Sequence, residues 1–248
     1  MPSPIGLHLA LVLAVATFAI APELDVAVST LFYRMDAGFW LAAIPALQVL
    51  REVFRAAENL FGVAGGLVLV MSLWLGPDRR ISARLWGFWF AAMALGPGIA
   101  VNAAIKPFWG RARPADTTLF GGHDTFTPAL LPTDQCSWGC SFVSGEAAGA
   151  AGLAIVVGVL IWQVLAPRTR SLLVVGLGAF VVLASGLRIA MGRHFLSDVV
   201  FGWLVAAYTA WILYAALRIP EALRSLTCAA LMSDLKGLAA RMSARRRG

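Results

Sequence analysis

Charge is what this sequence most lacks. Of its 248 residues only 13% are Asp, Glu, Lys or Arg, against about 25% in an ordinary soluble domain. Histidine and cysteine are scarce as well, three of each. With 60% apolar residues and a mean hydropathy of +0.79, this shortage excludes a disordered chain, which needs the opposite balance. It also argues against a water-soluble monomer. Three cysteines are too few for a disulfide scaffold, and no histidine or second cysteine pair completes a metal site, so neither metal nor cofactor is expected. No internal repeat is visible. Twenty basic against thirteen acidic residues leave a net charge of +7. In a soluble protein that surplus would suggest nucleic acid. In so apolar a chain it reads as membrane topology, because Lys and Arg collect on the cytoplasmic side.

Six windows are long and apolar enough to cross a bilayer: 5–22, 60–76, 85–105, 147–165, 171–190 and 199–217. The expected fold is therefore all-α and polytopic, with about six transmembrane helices. The first window lacks the basic n-region of a secretory signal, and Pro22 follows its small-residue run Ala19-Ile20-Ala21, so it is read as a span. If odd spans run outward, the inner loops hold 12 of the 20 basic residues, among them Arg79, Arg80, Arg84, Arg168, Arg170 and the terminal Arg245-Arg246-Arg247, against three acids. That bias places both termini in the cytoplasm and residues 106–143 and 188–198 outside. Residues 1–218 then form one domain and 219–248 a basic cytoplasmic tail, in which Cys228 is a free thiol. Residues 38–58 do not read as a span. Arg51, Arg55 and Glu58 share one face and Leu47, Leu50, Val53 and Phe54 the other, the pattern of an amphipathic helix in the outer interface or of a short packed helix.

Basic residues on the outer side run against that topology, and they concentrate in two stretches. Lys106-Pro-Phe-Trp-Gly-Arg111-Ala-Arg113-Pro114 follows the third span, and Arg188-Ile-Ala-Met-Gly-Arg193-His194-Phe-Leu-Ser-Asp198 joins the fifth to the sixth. Between them Ser141-Phe-Val-Ser144-Gly145-Glu146 opens the fourth. Ionisable groups at a membrane edge point to a functional site. Lys106, Arg113 and Arg188 suit the oxygens of a phosphoryl group. Ser144 and Gly145 begin a helix, whose free N–H groups favour an anion. His194 and Asp198, four apart, share a helix face, so the carboxylate can hold one imidazole N–H and leave the other nitrogen as nucleophile.

The spacing Lys106-x6-Arg113-Pro114, Ser144-Gly145, Arg188-x5-His194-x3-Asp198 resembles the type 2 phosphatidic acid phosphatase (PAP2) superfamily, which includes membrane lipid phosphatases and soluble vanadium haloperoxidases. The resemblance implies metal-independent hydrolysis through a phosphohistidine on His194, with Asp198 orienting the ring and Lys106, Arg113, Ser144, Gly145 and Arg188 binding phosphate. Two positions depart from the pattern. Leu187 stands where Ser is usual, and Glu146 where a His protonates the leaving oxygen. Glu146 is expected to take over leaving-group chemistry, with His123 of the outer loop as another candidate; a phosphate leaving group of low pKa would need no acid at all. The run Cys136-Ser-Trp-Gly-Cys140-Ser-Phe-Val-Ser-Gly-Glu146 is most similar to the lipid A 4′-phosphatase group. The implied activity is removal of a phosphate from an amphiphilic lipid at the outer face of a bacterial inner membrane. Undecaprenyl pyrophosphate and phosphatidylglycerophosphate phosphatases share the three motifs, and Glu146 also admits a non-catalytic lipid transporter with a degenerate site. Oxidation with bound vanadate is the least favoured alternative, given the spans.

Other residues carry two readings each. Arg111 and Arg193, like His123, are candidates for contact with an anionic headgroup or are structural charges. Cys136 and Cys140 are a small disulfide or two free thiols. Trp40, Trp109 and Trp138 fit an interfacial belt, Gly145, Gly149 and Gly152 close helix packing, and Gly96-Pro97-Gly98 a kink.

Overall fold

The computed structural model describes residues 4–137 and 139–245; Trp138, Arg246 and Arg247, singled out above, lie outside them. Among the described residues the elements are helical, with two isolated bridges and no strand. Four helical stretches are long and apolar enough to cross a membrane: Pro45–Asp78, Ala83–Asp116, Pro167–Ala190 and Leu196–Ala216. A fifth crossing is available if α1 (Pro4–Ile20) and α2 (Glu23–Thr30), bent by 85° at Ala21-Pro22, count as one. The fourth expected window overlaps α6 (Gly145–Ile161), which has 17 residues and a length of about 25 Å at 1.5 Å per residue. That falls short of a bilayer core of about 30 Å. The expected six crossings thus become four or five by length and composition.

The stretch 38–58 corrects the sequence reading. Most of it is the first half of α3 (Pro45–Leu75), a single helix of 31 residues that continues into the second span. Pro45 occupies its first turn, where a missing N–H costs nothing, and no further proline interrupts it. The charged face that suggested an interfacial helix instead borders a cavity lined by Arg51, Arg55, Glu58 and Asn59, with Glu58 buried and Arg55 still half exposed.

On the opposite wall α4 (Ala83–Met93) passes into a π-helical segment, Ala94–Ile105, and then into α5 (Lys106–Trp109). The kink expected at Gly96-Pro97-Gly98 takes the form of this wider coil. Pro97 has no N–H for the preceding turn, and the Asn102 side-chain amide donates to its carbonyl at 2.7 Å. At the centre, α6 packs against α7 (Pro167–Ala190), α8 (Leu196–Ala216) and the π segment. Its buried Ala147, Ala148, Gly149, Ala150 and Ala151 permit this close approach. Gly202 of α8 is required there, because a Cβ would stand 2.6 Å from the Ser144 carbonyl oxygen.

Residues 219–245 of the basic tail are largely helical and docked. Ile219 and Ala222 of α9 (Ile219–Ala222) are buried beside Leu85 and Phe88. In α10 (Cys228–Arg245) Asp234 accepts from the backbone N–H groups of Arg80 and Ile81, and Arg241 donates to the Trp74 carbonyl at 2.7 Å. Cys228 is exposed and unpaired. Trp109 is folded into the outer loop, its indole N–H donating to the Ala129 carbonyl and its ring stacked on Phe142.

Candidate active site

The three motif stretches and the first half of α3 meet around one cavity of about 570 Å³. Lys106 of α5 and Arg113 just beyond it stand on one side, Arg188 at the end of α7 and Arg193 and His194 of the following turn on another, and Gly145 and Glu146 open α6 between them. The first N–H groups of α6 have no helical acceptor. Val63, Phe90, Met93, Ala94 and Pro97 make part of the same cavity apolar.

The outer loop fixes Arg113. Cys136 and Cys140 are joined by a disulfide with their Cα atoms 5.5 Å apart, so of the two readings the bridge is the one found. Within the closed loop the Gly139 carbonyl accepts from an Arg113 Nη at 2.6 Å, while Arg113 Nε has no hydrogen-bond partner among the described residues. Arg113 therefore keeps donor capacity for a ligand.

His194 is held in one tautomer. Its Nδ1 lies 2.8 Å from the Ser141 carbonyl oxygen. A carbonyl only accepts, so Nδ1 carries the proton and Nε2 keeps its lone pair. This corrects the expected direct bond to Asp198, whose Oδ2 stands 3.7 Å away. Asp198 acts through its neighbours: Oδ2 accepts from the Ser141 hydroxyl at 2.5 Å and from the Phe195 N–H at 2.7 Å, and so fixes the residues on either side of the ring. Burial lowers the His194 pKa from the usual 6.5 to about 4, helped by the nearby Arg188 and Lys106 cations and opposed by Asp198.

Of the two readings of Arg111, the structural charge is the one found. It reaches no headgroup, since its side chain is 0% exposed. It is the centre of a buried Asp25–Arg111–Asp198 chain, with contacts of 2.8 Å to Asp25 and 2.7 Å to Asp198. Arg111 also donates to Ser197 Oγ and the Thr127 carbonyl, and it lies over the Phe195 ring. Ser144 does not line the cavity; its hydroxyl caps α6 by accepting from the Ala147 N–H. His123 is exposed on the outer loop, away from the cavity lining. Glu146 does line it, but its carboxylate accepts from Arg51 Nη2 and Nε at 2.7 and 3.4 Å and lies 3.2 Å from Arg188 Nε.

Arg51, Arg55, Glu58, Asn59 and Asn102 of the lining had not been assigned to a site, nor had Asp25, Ser141 and Ser197 behind it. The available signal was the charged face of 51–58, since charge on a helix continuous with a span must turn inward.

Residues 84–219 match the PAP2 superfamily model, and the chain belongs to that superfamily. The resemblance read from the three motifs is thereby established, and the protein is a multi-pass membrane phosphatase. A protein from Francisella tularensis subsp. novicida (strain U112) named Lipid A 4′-phosphatase is 31% identical over 217 residues, 84% of this chain and 95% of that one. Another of that name from Rhizobium leguminosarum is 37% identical over 220 residues, 82% of this chain and 89% of that one. Among solved structures, the transmembrane PAP2 type phosphatidylglycerolphosphate phosphatase of Bacillus subtilis covers 87% of this chain and 96% of that one, at 19% identity and a TM-score of 0.44.

Proposed function

We propose that this protein removes the 4′-phosphate of lipid A at the periplasmic face of a bacterial inner membrane, through a phosphohistidine on His194. The observation that carries the reading is the His194 ring, locked by the Ser141 carbonyl with Nε2 free, in a cavity that also presents Lys106, Arg113 and Arg188. The phosphoryl oxygens sit among these three cations and the first N–H groups of α6. Nε2 attacks phosphorus, the bond to the sugar oxygen breaks, and the leaving oxygen takes a proton. Water then attacks the phosphohistidine, the N–P bond breaks and phosphate leaves. Glu146 holds Arg51 and the buried Arg188 in place beside the phosphoryl group, and Arg193 meets further negative charge on the headgroup. The relatives' names favour lipid A as substrate, and the apolar wall of Val63, Phe90 and Met93 suits the start of its chains.

The periplasmic orientation is supported by α3. From Arg51 to Leu75 the helix rises about 36 Å, which puts the cavity at one end and the docked basic tail at the other. Positive charge marks the tail's end as cytoplasmic.

The test is phosphate release by the purified protein, with EDTA present, from lipid A, undecaprenyl pyrophosphate and phosphatidylglycerophosphate. Lipid A should lose its 4′-phosphate fastest, and His194→Ala should abolish turnover. Faster hydrolysis of either other lipid would reassign the substrate, and substantial activity in His194→Ala would end the phosphohistidine mechanism.

A further inference from the structure

Two carboxyl groups line the cavity, and their surroundings differ. Glu146 is gripped by Arg51 and Arg188, which suits it to hold guanidinium groups and leaves it poorly placed to give up a proton. Glu58 lies two helical turns further along α3 from Arg51, on the same face. It is 6% exposed, has no ion pair within 4.0 Å among the described residues, and its Oε1 has no hydrogen-bond partner among them. A buried polar atom left unsatisfied needs an explanation.

The opposing helix leaves space for this carboxyl. Oε2 lies against Gly149 of α6, where a Cβ would stand only 2.4 Å away. Gly149 is one turn beyond Gly145, at the end of α6 where the phosphate is placed. Glu58 lines the cavity beside Gly149, and a Cβ at 149 would push its carboxyl out of this position. The opening of α6, Gly145-Glu146-Ala-Ala-Gly149, thus offers N–H groups to the phosphate and, one turn on, room for an acid.

We propose that Glu58 is the general acid of this site. The inference rests on the phosphohistidine reading above. As His194 Nε2 bonds to phosphorus and the P–O bond to the alcohol breaks, the Glu58 carboxyl gives its proton to the departing oxygen. In the second step the Glu58 carboxylate takes a proton from the water that attacks phosphorus. The N–P bond breaks, and both residues return to their starting forms. Glu58 thus does the work that the family assigns to a histidine at position 146, from a different helix.

A proton donor matters in proportion to the basicity of the leaving group. The experiment compares a long-chain alkyl phosphate with 4-nitrophenyl phosphate, using the full-length protein in detergent. Glu58→Gln, which keeps the shape of the side chain, should lower kcat/KM, which reports the steps up to loss of the alcohol, by about 10²–10⁴-fold on the alkyl phosphate and by less than about tenfold on the aryl phosphate, while the lost base of the second step slows kcat on both. A retained aryl kcat/KM, with a burst of nitrophenol as the phosphohistidine forms, shows that the variant is folded and that His194 still works. Glu146→Gln should slow both substrates by similar factors. Equal loss of kcat/KM on both substrates in Glu58→Gln, or no loss on either, overturns the proposal, as does leaving-group dependence of kcat/KM found in Glu146→Gln instead. His194→Ala separates the two layers of the argument. If it retains turnover on both substrates, the phosphohistidine reading fails and this inference with it. If it is inactive while Glu58→Gln is indifferent to the leaving group, only the acid role fails.

Discussion

Arg111→Met is the sharpest test of how the site is supported. The guanidinium is fully enclosed and makes four hydrogen bonds, to Asp25, Asp198, Ser197 and the Thr127 carbonyl, at 2.7–2.9 Å. Methionine fills much of the volume but leaves two buried carboxylates without their shared cation. Removing one partner of a buried pair costs about 3–5 kcal/mol. The low end applies here, because Asp25 retains the Ser197 N–H and hydroxyl and Asp198 retains the Ser141 hydroxyl and Phe195 N–H. For a chain of this size about 3 kcal/mol corresponds to a Tm loss of roughly 6–12 °C. The assay is thermal unfolding in detergent, paired with steady-state kinetics. Because Asp198 holds the residues flanking His194, kcat should fall while KM stays within about twofold, as expected for a group that never meets substrate. Asp25→Asn added to Arg111→Met should recover part of the lost stability, since one of the stranded charges is gone. An unchanged Tm with a raised KM and intact kcat would refute this account and restore Arg111 as a headgroup contact.

Two further outcomes follow from the geometry. Reducing the Cys136–Cys140 bridge, or replacing both with Ser, should raise KM for phosphate esters by about tenfold, the effect of losing part of one charge-assisted contact, because the loop that holds Arg113 through Gly139 is released. An unchanged KM after verified reduction would detach the loop from the site. The His194 ring should remain neutral down to about pH 4, well below the ordinary 6.5. The folded state then binds fewer protons than the unfolded state between these values, so stability should decline as pH falls from 6.5 through 4. Ring ¹⁵N shifts of histidine-labelled protein, with His8→Gln and His123→Gln used for assignment, read this directly. Protonation of His194 near 6.5 would show that the ring is not buried as described.

The sequence made the chemistry more legible than its support. Lys106, Arg113, Arg188 and His194 announce themselves by spacing and by being charged where an outer membrane edge should have little charge. Asp25 gave no such signal. It is one acid in a short polar break after the first apolar run, and its role depends on the 85° bend that brings α2 against Ser197 and Arg111. Arg111 was visible as a charge but ambiguous, because local sequence does not say whether an arginine faces lipid, water or a buried carboxylate. The tautomer of His194 was legible only in outline. An i, i+4 carboxylate suggested who would hold the ring, and the backbone between Ser141 and Ser144 intervened with a nearer acceptor.

The error over residues 38–58 has a general physical cause, and it locates the site. A helix that is apolar on one face and charged on the other satisfies both an interface and a cavity wall, and composition alone does not separate the two. Continuity does. Once Pro45–Leu75 is a single helix, its first half is fixed in direction by its second half, and the face bearing Arg51 and Glu58 is held against the cavity. Arg51 and Glu58 must then find partners or a ligand inside the protein. Arg51 finds Glu146, whose own motif position suggested catalysis. Glu58 finds only the gap at Gly149 and the cavity beside it. On the proposed acid role, the replacement of the usual histidine by Glu146 and the lack of a hydrogen-bond partner for Glu58 Oε1 among the described residues are connected. With position 146 committed to binding arginine, the carboxyl of α3 is the acid left facing the phosphate end of the cavity.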